Sequence, residues 1–430
     1  MVRVTRTIVV KSTILPKNVF RVFIELEAMY HSIVDQLVIY AVENNIKSFI
    51  KLKALKYREI RNLYPQLPSH YVYTACQDAS TRAKSFLRLK KLKLIKRKYP
   101  EVNKISIWLD DHLWKLDGLT SIKIATHKGW VTVEFTPDKQ YWKYVNCGWR
   151  LASEAKIKLD KRNRQLVIYL TFIKDVEEYE PRGFLPVDVN EDNVTILVDG
   201  TAYFFETGQK KLVLGYYYRR KKIQEKYDKL YDTKSRVKKK ALRKLKEKKK
   251  KNDVKWKIAN IVVKTAYEKK YAIVLERLGK RVANNMVKKI KDKQLKHRIF
   301  QASFRGIQKA IEEKAREYGV PVIYVNPKNT SRLCPVHKAP IKYNGSRVGK
   351  CSIGGEKWHR DAAACYNLLL RVWGDGSRAP SPTKQNIDGW AVPLPATATH
   401  DPTRIPKSVW ARWKSLPQTQ YEITLNRIKR

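Results

Sequence analysis

Residues 184–205 read FLPVDVNEDNVTILVDGTAYFF and contain three short apolar stretches with tight polar connections between them. The stretches are rich in the Val, Ile and Phe residues that favour buried strands. They lie at 184–189, 194–198 and 202–205, before a charged helical region at roughly 216–270, a strand at 271–275, a helix at about 295–318 and a strand at 320–325. Strands combined with helices in this order predict an α/β layer with mixed strand pairing.

The chain before this layer switches between two periodicities. Polar and apolar residues alternate over 2–14 and again over 104–174, which predicts an antiparallel β unit, either a barrel or a sandwich. The alternating stretches after residue 104 lie at 105–109, 121–126, 130–135, 155–160 and 166–173. Between them, 20–41 and 70–95 have the three- to four-residue spacing of helices. We therefore expect a helical unit inserted after the first strand of the β unit.

Composition narrows the class of protein. The 430 residues include 90 Lys and Arg but only 40 Asp and Glu, a net charge of +50 that favours a polyanionic partner such as nucleic acid. A hydrophobic fraction of 43% with 24 Tyr and 11 Trp is enough for a core and excludes wholesale disorder. No apolar run reaches the roughly 18 residues of a membrane span, and the N-terminus lacks a signal-peptide core. We expect a soluble intracellular protein of two to four compact units.

Three acidic residues stand out in this basic chain. Asp188 ends the first strand of the α/β layer, Glu276 follows the apolar stretch 271–275, and Asp361 begins a helical pattern. If folding brings them together, their carboxylates suit Mg²⁺ or Mn²⁺, and two such ions about 3.5–4 Å apart can hydrolyse a phosphodiester. The alternative is that each acid is a helix cap or a surface ion pair.

These residues fall in a recognisable order. Asp188 and Glu276 are followed by Thr330-Ser331-Arg-Leu-Cys334 and then by Asp361-Ala-Ala-Ala-Cys-Tyr-Asn367. The order resembles the TnpB (OrfB) family of insertion-sequence proteins, which are relatives of the type V CRISPR effector nucleases and are often described as transposases. The likeness is strong over 184–372 and weaker over 1–183. It implies that Asp188, Glu276 and Asp361 are catalytic residues that bind the metal ions.

The resemblance also implies a domain organisation. A RuvC-type, ribonuclease H-like nuclease domain with a zinc-ribbon-like insertion would follow an antiparallel β-barrel that has an inserted helical unit. The expected parts are a wedge-like barrel at 1–15 and 104–180, a recognition-like helical insertion at 16–103, the nuclease domain at 184–330 and 360–372, the ribbon at 331–359, and a flexible tail at 373–430.

The chain departs from the family pattern at three positions. Asn190 stands where Gly is usual, and Asn tolerates the left-handed backbone conformation. His359 replaces an Asp, and Ala363 replaces an Asn, within the motif around Asp361. We expect the last two changes to alter the surroundings of the metal rather than its ligands.

The cysteines form an incomplete metal motif. Cys334 and His337 have the spacing of a zinc knuckle, and Cys351 follows, but Gly354 stands where a fourth ligand is due. His359 could supply that ligand only after a local rearrangement. Cys334, His337 and Cys351 are therefore either zinc ligands or the remnant of a ribbon without metal. The irregular spacing of the five cysteines excludes a disulfide framework, and we expect Cys76 and Cys147 in the core.

The densest positive charge lies at 238–251, KKKALRKLKEKKKK, where ten of fourteen residues are Lys or Arg. A long helix with one thin apolar stripe would present these cations to a nucleic-acid backbone. The predicted phosphate ligands are Lys238, Lys239, Lys240, Arg243 and Lys244. A solvated face or a localisation tract is the alternative. Tyr216–Tyr218 could stack on bases or pack against the sheet.

We therefore expect an RNA-guided, Mg²⁺- or Mn²⁺-dependent DNA endonuclease of a transposable element, with a guide RNA and double-stranded target DNA as partners and zinc as a second candidate metal. The first alternative is a catalytically silent, RNA-guided DNA-binding regulator, and the second is an RNA chaperone suggested by charge alone. The expected location is the cytoplasm of a prokaryote, in association with the nucleoid and without a membrane. Low Met and Cys with abundant Lys suggest a thermophile. The oligomeric state stays open.

Overall fold

A computed structural model describes residues 1–230, 235–279, 282–288 and 290–374. Contacts divide the chain into two compact units, Arg3–Asp175 and a second unit that runs from Val176 onward and includes Met1–Val2. The predicted flexible tail lies outside the described residues from 375 onward. Among the helices of the described ranges, none has both the length and the apolar composition that crossing a membrane requires.

The first unit contains one seven-stranded sheet and four helices. The strands are β1 (Val2–Ser12), β2 (Ile107–Leu109), β3 (Trp114–Leu116), β4 (Ser121–Thr126), β5 (Gly129–Thr136), β6 (Arg150–Asp160) and β7 (Gln165–Val176). The helices are α1 (Lys17–Glu43), α2 (Phe49–Leu63), α3 (Ser69–Lys91) and α4 (Lys139–Asn146). The strand order is β2-β6-β7-β1-β5-β4-β3, which places β1 inside the sheet. The prediction that the N-terminal strand joins the β unit is confirmed.

The sheet nearly closes on itself. Its two edge strands, β2 and β3, are consecutive in the chain, and the Trp114 indole on β3 donates a hydrogen bond to the Ser153 carbonyl on β6, 2.8 Å away. Alternate residues of β1, among them Val4, Ile8 and Val10, are buried. Because one face of the sheet is covered, the period-two pattern was readable in the sequence.

The helical insertion is built mainly from α1 and α3. Phe23 and Leu26 of α1 and Val72 and Cys76 of α3 are fully buried. Helix α2 was not predicted, because only Leu52 and Ile60 among its fifteen residues are buried and the periodic signal is thin.

The second unit contains a five-stranded sheet. Its strands are β8 (Gly183–Val189), β9 (Asn193–Val198), β10 (Thr201–Glu206), β11 (Tyr271–Glu276) and β12 (Val322–Val325). They lie in the order β10-β9-β8-β11-β12. Strands β8, β9 and β10 form an antiparallel meander, whereas β11 is parallel to both β8 and β12. The predicted mixed pairing is confirmed.

Three strands of the ribbon segment 331–359 form a separate sheet, and seven helices are described in this unit. The small strands are β13 (Ile341–Lys342), β14 (Val348–Cys351) and β15 (Lys357–His359). The helices are α5 (Gln209–Leu230), α6 (Arg236–Lys244), α7 (Glu247–Lys269), α8 (Val282–Val287), α9 (Lys293–Ala302), α10 (Phe304–Tyr318) and α11 (Arg360–Gly374). Strand β15 leads directly into α11, which packs against β8 and β9.

Two long helices of the prediction are interrupted. The charged region contains α5, α6 and α7, and Lys246 between the last two has a left-handed backbone with φ of 52°. The predicted apolar stripe does not stabilise one continuous helix in this region. Helix α6 has no buried residue, and the first buried residue of α7 is Ile258. Ser303, with φ of 55°, likewise separates α9 from α10.

Candidate metal centre at the carboxyl ends of β8 and β11

Two of the predicted acids lie side by side at one edge of the second sheet. Leu275 of β11 pairs with Val187 of β8 in a parallel ladder. The next residue on each strand is an acid, Glu276 and Asp188. The carboxyl ends of adjacent parallel strands therefore carry neighbouring carboxylates, as the family motif implies.

The third acid comes from a helix that packs on the same strands. Asp361 is the second residue of α11 and only 2% exposed. Its Oδ2 accepts hydrogen bonds from the Asn193 amide, 3.0 Å away, and from the Arg347 guanidinium, 2.6 Å away. The structure thus brings together three acids that are more than 80 residues apart in the chain.

The electrostatics of Asp188 show how close the three groups are. Burial raises the pKa of Asp188 well above its ordinary value, and the negative charges of Glu276 and Asp361 raise it further. Burial also raises the pKa of Glu276, although a hydrogen bond from Thr330 opposes that shift. Since several buried carboxylates repel one another, either protons or a cation must neutralise them. A set of carboxylate oxygens of this kind fits Mg²⁺ or Mn²⁺.

Neighbouring polar side chains hold Glu276 in place. The Thr330 hydroxyl donates a hydrogen bond to Glu276 Oε1 over 2.8 Å, and the Gln308 amide donates to the Glu276 carbonyl over the same distance. The Asn367 amide in turn donates to the carbonyls of Thr330 and Leu333 over 2.7 and 2.8 Å. The two motif residues Thr330 and Asn367 therefore position a metal-site candidate without being candidates for ligands.

Three neighbours of the acids were not anticipated from the sequence. Asn193, Gln308 and Arg347 reach them from β9, α10 and the loop before β14. Arg347 has no sequence signal that separates it from the other basic residues of a chain with 90 of them. Asn193 and Gln308 follow no spacing rule relative to the acids.

The structure shows what the departures from the family pattern do. Asn190 does not have the left-handed backbone that we allowed for it, and its amide instead donates a hydrogen bond to Asp188 Oδ2 over 2.7 Å. His359 accepts a hydrogen bond from the Asp361 N–H at 3.3 Å and packs edge-on against Phe204. Ala363 is fully buried.

The cysteine motif converges in space on a fourth residue. Ligand atoms of Cys334, His337, Cys351 and Glu356 all lie within 4.8 Å of one another. His359, which we considered as a fourth ligand, is not in this cluster, because its ring faces the Asp361 backbone. Burial raises the pKa of the Cys334 thiol, and the adjacent Cys351 raises it further.

The remaining cysteines behave differently from each other. Cys76 is buried in the helical insertion, as predicted. The prediction for Cys147 is wrong, because this residue is exposed at the C-terminal cap of α4, a helix that was not predicted.

The predicted phosphate ligands lie on α6. Lys239, Lys240, Arg243 and Lys244 are exposed, whereas Lys238 forms an ion pair with Asp228. The four exposed cations are available to a partner, and their role stays a prediction.

Two tyrosines of the Tyr216–Tyr218 triplet differ in exposure, which bears on the two roles considered for it, base stacking and packing against the sheet. Tyr216 is buried, which fits packing against the sheet. Tyr218 is 50% exposed, and its hydroxyl accepts a hydrogen bond from Gln294 over 2.5 Å.

Comparison with known proteins finds family models and relatives that are similar to parts of this chain. The model of the "Cas12f1-like, TNB domain" family matches residues 304–368, a stretch with both the cysteine cluster and Asp361, and that of the "Uncharacterized protein MJ0013 family" matches 26–125. TnpB-like protein MJ0751 of Methanocaldococcus jannaschii is 29% identical over 283 residues, which cover 62% of this chain and 96% of that protein. The chain is therefore similar to a TnpB-like protein over almost the whole length of that relative.

Two further relatives extend the comparison. The uncharacterized protein MJ0857 of the same archaeon is 29% identical over 212 residues, which are 45% of this chain and 77% of that protein. The protein in a structure of a Cas12f1–sgRNA–target DNA complex superposes with a TM-score of 0.55 at 14% identity, covering 82% of this chain and 83% of that one. The second comparison shows a shared fold.

Proposed function

We propose that this protein is a member of the TnpB family and acts as an RNA-guided, divalent-metal-dependent DNA endonuclease. In this proposal β8–β12 and α11 form a RuvC-type, ribonuclease H-like nuclease domain, and the ribbon is its insertion. The observation that carries the proposal is the convergence of Asp188, Glu276 and Asp361, where burial and then the charges of the other two acids raise the pKa of Asp188. A protein that only binds nucleic acid gains nothing from such a costly arrangement.

The three acids would hold the metal ions, and their neighbours would orient them. A divalent cation bound there supplies Lewis acidity toward a phosphodiester and a water molecule activated for hydrolysis. Asn190 holds Oδ2 of Asp188, which leaves Oδ1 of that carboxylate for the site. Thr330 holds Oε1 of Glu276 in the same way. Arg347, 56% exposed at its side chain, keeps a positive charge where an anionic DNA strand would approach Asp361.

The nucleic-acid partners follow from charge and from the relatives. A net charge of +50 needs extensive neutralisation, and a structural relative was solved with guide RNA and target DNA. We assign guide RNA and double-stranded DNA to this chain on those grounds. The nearly closed sheet at 1–15 and 104–180 would be the wedge-like domain, and 16–103 the recognition-like insertion. Base pairing would choose the target, as in RNA-guided systems generally.

The four exposed cations of α6 offer a test of the phosphate-binding role. Changing Lys239, Lys240, Arg243 and Lys244 to Gln should weaken RNA binding and flatten its salt dependence, by a log–log slope of about 0.7 to 0.9 for each phosphate that the variant no longer neutralises. The same number of substitutions at exposed lysines of α3 and α10 serves as a control for net charge. An unchanged slope would mean that α6 faces solvent.

The proposed activity is tested with the ribonucleoprotein purified from cells. Sequencing of the RNA that co-purifies should give one defined species, and the complex should cut matching DNA when Mg²⁺ is added. Asp188→Ala should abolish cutting and leave RNA binding intact. Tight binding of DNA that stays uncut by the unaltered protein would favour the regulator, and a random RNA sample would contradict guiding.

A further inference from the structure

The ribbon contains two turns that face each other. In the first, Cys334 and His337 lie on one loop, and the Lys338 N–H donates to the Cys334 carbonyl over 2.8 Å. In the second, the Cys351 N–H donates to the Glu356 carbonyl over 2.9 Å, and Gly355, with φ of 72°, closes the turn. The second turn therefore presents Cys351 and Glu356 to the first turn, in place of the two cysteines that regular spacing would give.

Glu356 points its carboxylate into the space between the two turns. Its Oε1 lies 3.0 Å from His337 Nδ1, and its side chain is 17% exposed. Its Oε2 is buried and has no hydrogen-bond partner among the described residues. An unpartnered buried carboxylate oxygen is costly and indicates that a ligand belongs there.

Gly354 is what makes room for that carboxylate. A Cβ atom at position 354 would lie 2.2 Å from both Glu356 Oε1 and His337 Cε1, and 2.6 Å from the Glu356 carboxyl carbon. A cysteine at 354 and the present position of Glu356 therefore exclude each other. Gly354 interrupts the expected ligand spacing. Because Gly354 has no side chain, the Glu356 carboxylate has room to lie beside His337.

We propose that Glu356 is the fourth ligand of a structural zinc site whose other ligands are Cys334, His337 and Cys351. Zinc bonds of about 2.3 Å to sulfur and about 2.0 to 2.1 Å to nitrogen or oxygen put tetrahedral S···N pairs ~3.6 Å apart and N···O pairs ~3.3 Å apart. The His337 Nδ1 atom lies 3.6 Å from Cys351 Sγ, 3.8 Å from Cys334 Sγ and 3.0 Å from Glu356 Oε1. Two thiolates, an imidazole and a carboxylate are all ligands that zinc accepts.

A simple ion pair between His337 and Glu356 accounts for less of the structure. It explains the position of Oε1 but gives no reason for two cysteines, 0% and 4% exposed, to converge on the same nitrogen atom. Zinc accounts for all four groups.

The site has a structural consequence for the acid centre. Arg347 lies next to β14, and the β14–β15 ladder pairs Val348 with His359, two residues before Asp361. Zinc would fix the loop that places Arg347 on Asp361 and the strand that leads into α11. The proposal itself does not depend on nuclease activity.

The test is the zinc content of the full-length protein, purified without chelator and measured by atomic emission. The unaltered protein should hold one equivalent of zinc, and Glu356→Ala should lower zinc affinity by at least about 100-fold, more than the loss of an outer-shell partner. Glu206→Ala, at an exposed residue of β10, is the matched control and should keep its zinc. Asp188→Ala should also keep it, which separates this proposal from the proposed activity.

A cobalt titration distinguishes the loss of a metal ligand from a failure of the variant to fold. Co²⁺ added to the zinc-free unaltered protein should give a tetrahedral spectrum with sulfur-to-metal absorption from two thiolates, and Glu356→Cys should add a third. Unaltered zinc affinity in Glu356→Ala, or no zinc and no tetrahedral cobalt spectrum in the unaltered protein, would overturn the proposal.

Discussion

The second unit contains two candidate metal centres that are assembled in opposite ways. Asp188, Glu276 and Asp361 are united by the sheet and a packed helix, and they offer only oxygen. Cys334, His337, Cys351 and Glu356 are united by two local turns, and they offer sulfur, nitrogen and oxygen. The first set suits a hard cation that remains accessible to substrate, and the second suits a closed zinc site.

The difference shows where each centre can tolerate change. The acid centre depends on strand register, so each ligand position is fixed by the fold and no neighbour can substitute for a missing acid. The ribbon depends on turn geometry, where a residue two positions further along can reach the same point. Glu356 in place of residue 354 is an example of that freedom.

The largest expected effect comes from alanine substitutions in the acid centre, which leave the zinc site intact. Glu276→Ala and Asp361→Ala, like Asp188→Ala, should each lower target cutting by at least about 10³-fold, because one metal site is removed in every case. The triple variant should be no worse than a single one, since the three residues act as a unit. Rates measured at saturating Mg²⁺ test this, and additive effects would mean that the acids act separately. Zinc content should stay unchanged throughout.

The next effect concerns stability without divalent metal. The raised pKa of Asp188 means that the folded protein holds this proton more tightly than the unfolded chain does. Its contribution to stability is therefore greatest at acidic pH and decreases as the pH rises from the unfolded value toward the folded one. Asp188→Asn should raise the free energy of unfolding at neutral pH by about 1–3 kcal/mol in the presence of EDTA.

Denaturant unfolding at several pH values measures that effect. The stabilisation by Asp188→Asn should shrink as the pH falls, because the native carboxyl is then protonated as well. The control is Asp253→Asn on α7, at an exposed carboxylate that pairs with Lys257. A destabilised Asp188→Asn protein would contradict the described electrostatics.

The smallest expected effect comes from substituting Arg347, which links the ribbon to the acid centre. Arg347 belongs to the ribbon but donates to Asp361 Oδ2, so its positive charge competes with a cation there. Arg347→Ala should raise the affinity for Mn²⁺ at the acid centre a few-fold, roughly 1 kcal/mol or less for a side chain so exposed. Calorimetric titration measures this, and Arg347→Lys should stay near the unaltered value. Lower Mn²⁺ affinity would instead make Arg347 a positioning residue.

Much of the second sheet could be predicted because its strands are continuous apolar runs. The acids Asp188 and Glu276 were recognisable as charges that end such runs, and Asp361 through the family motif. The helix breaks at Lys246 and Ser303 were not predictable, because left-handed backbone at a non-glycine residue has no sequence signal. Glu356 was missed because a template based on spacing looked for a ligand at residue 354.

Arg347 and Asn193 were missed for a different reason. Their contacts with Asp361 depend on tertiary packing between segments 14 and 168 residues apart. Asn190 was noticed, but for its backbone, whereas its side chain contacts Asp188. Spacing in the sequence finds ligands, and the hydrogen bonds that orient them come from the fold.

The most direct test of the account is to map where a divalent cation binds. Fe²⁺ bound in place of Mg²⁺ in the full-length protein, with ascorbate and peroxide, cleaves the polypeptide next to the metal. The account predicts cuts near 188, 276 and 361, all of which disappear in Asp188→Asn, Glu276→Gln and Asp361→Asn, each tested alone. Cuts at other segments, or cuts that persist in any one of these variants, would contradict a single centre built from the three acids.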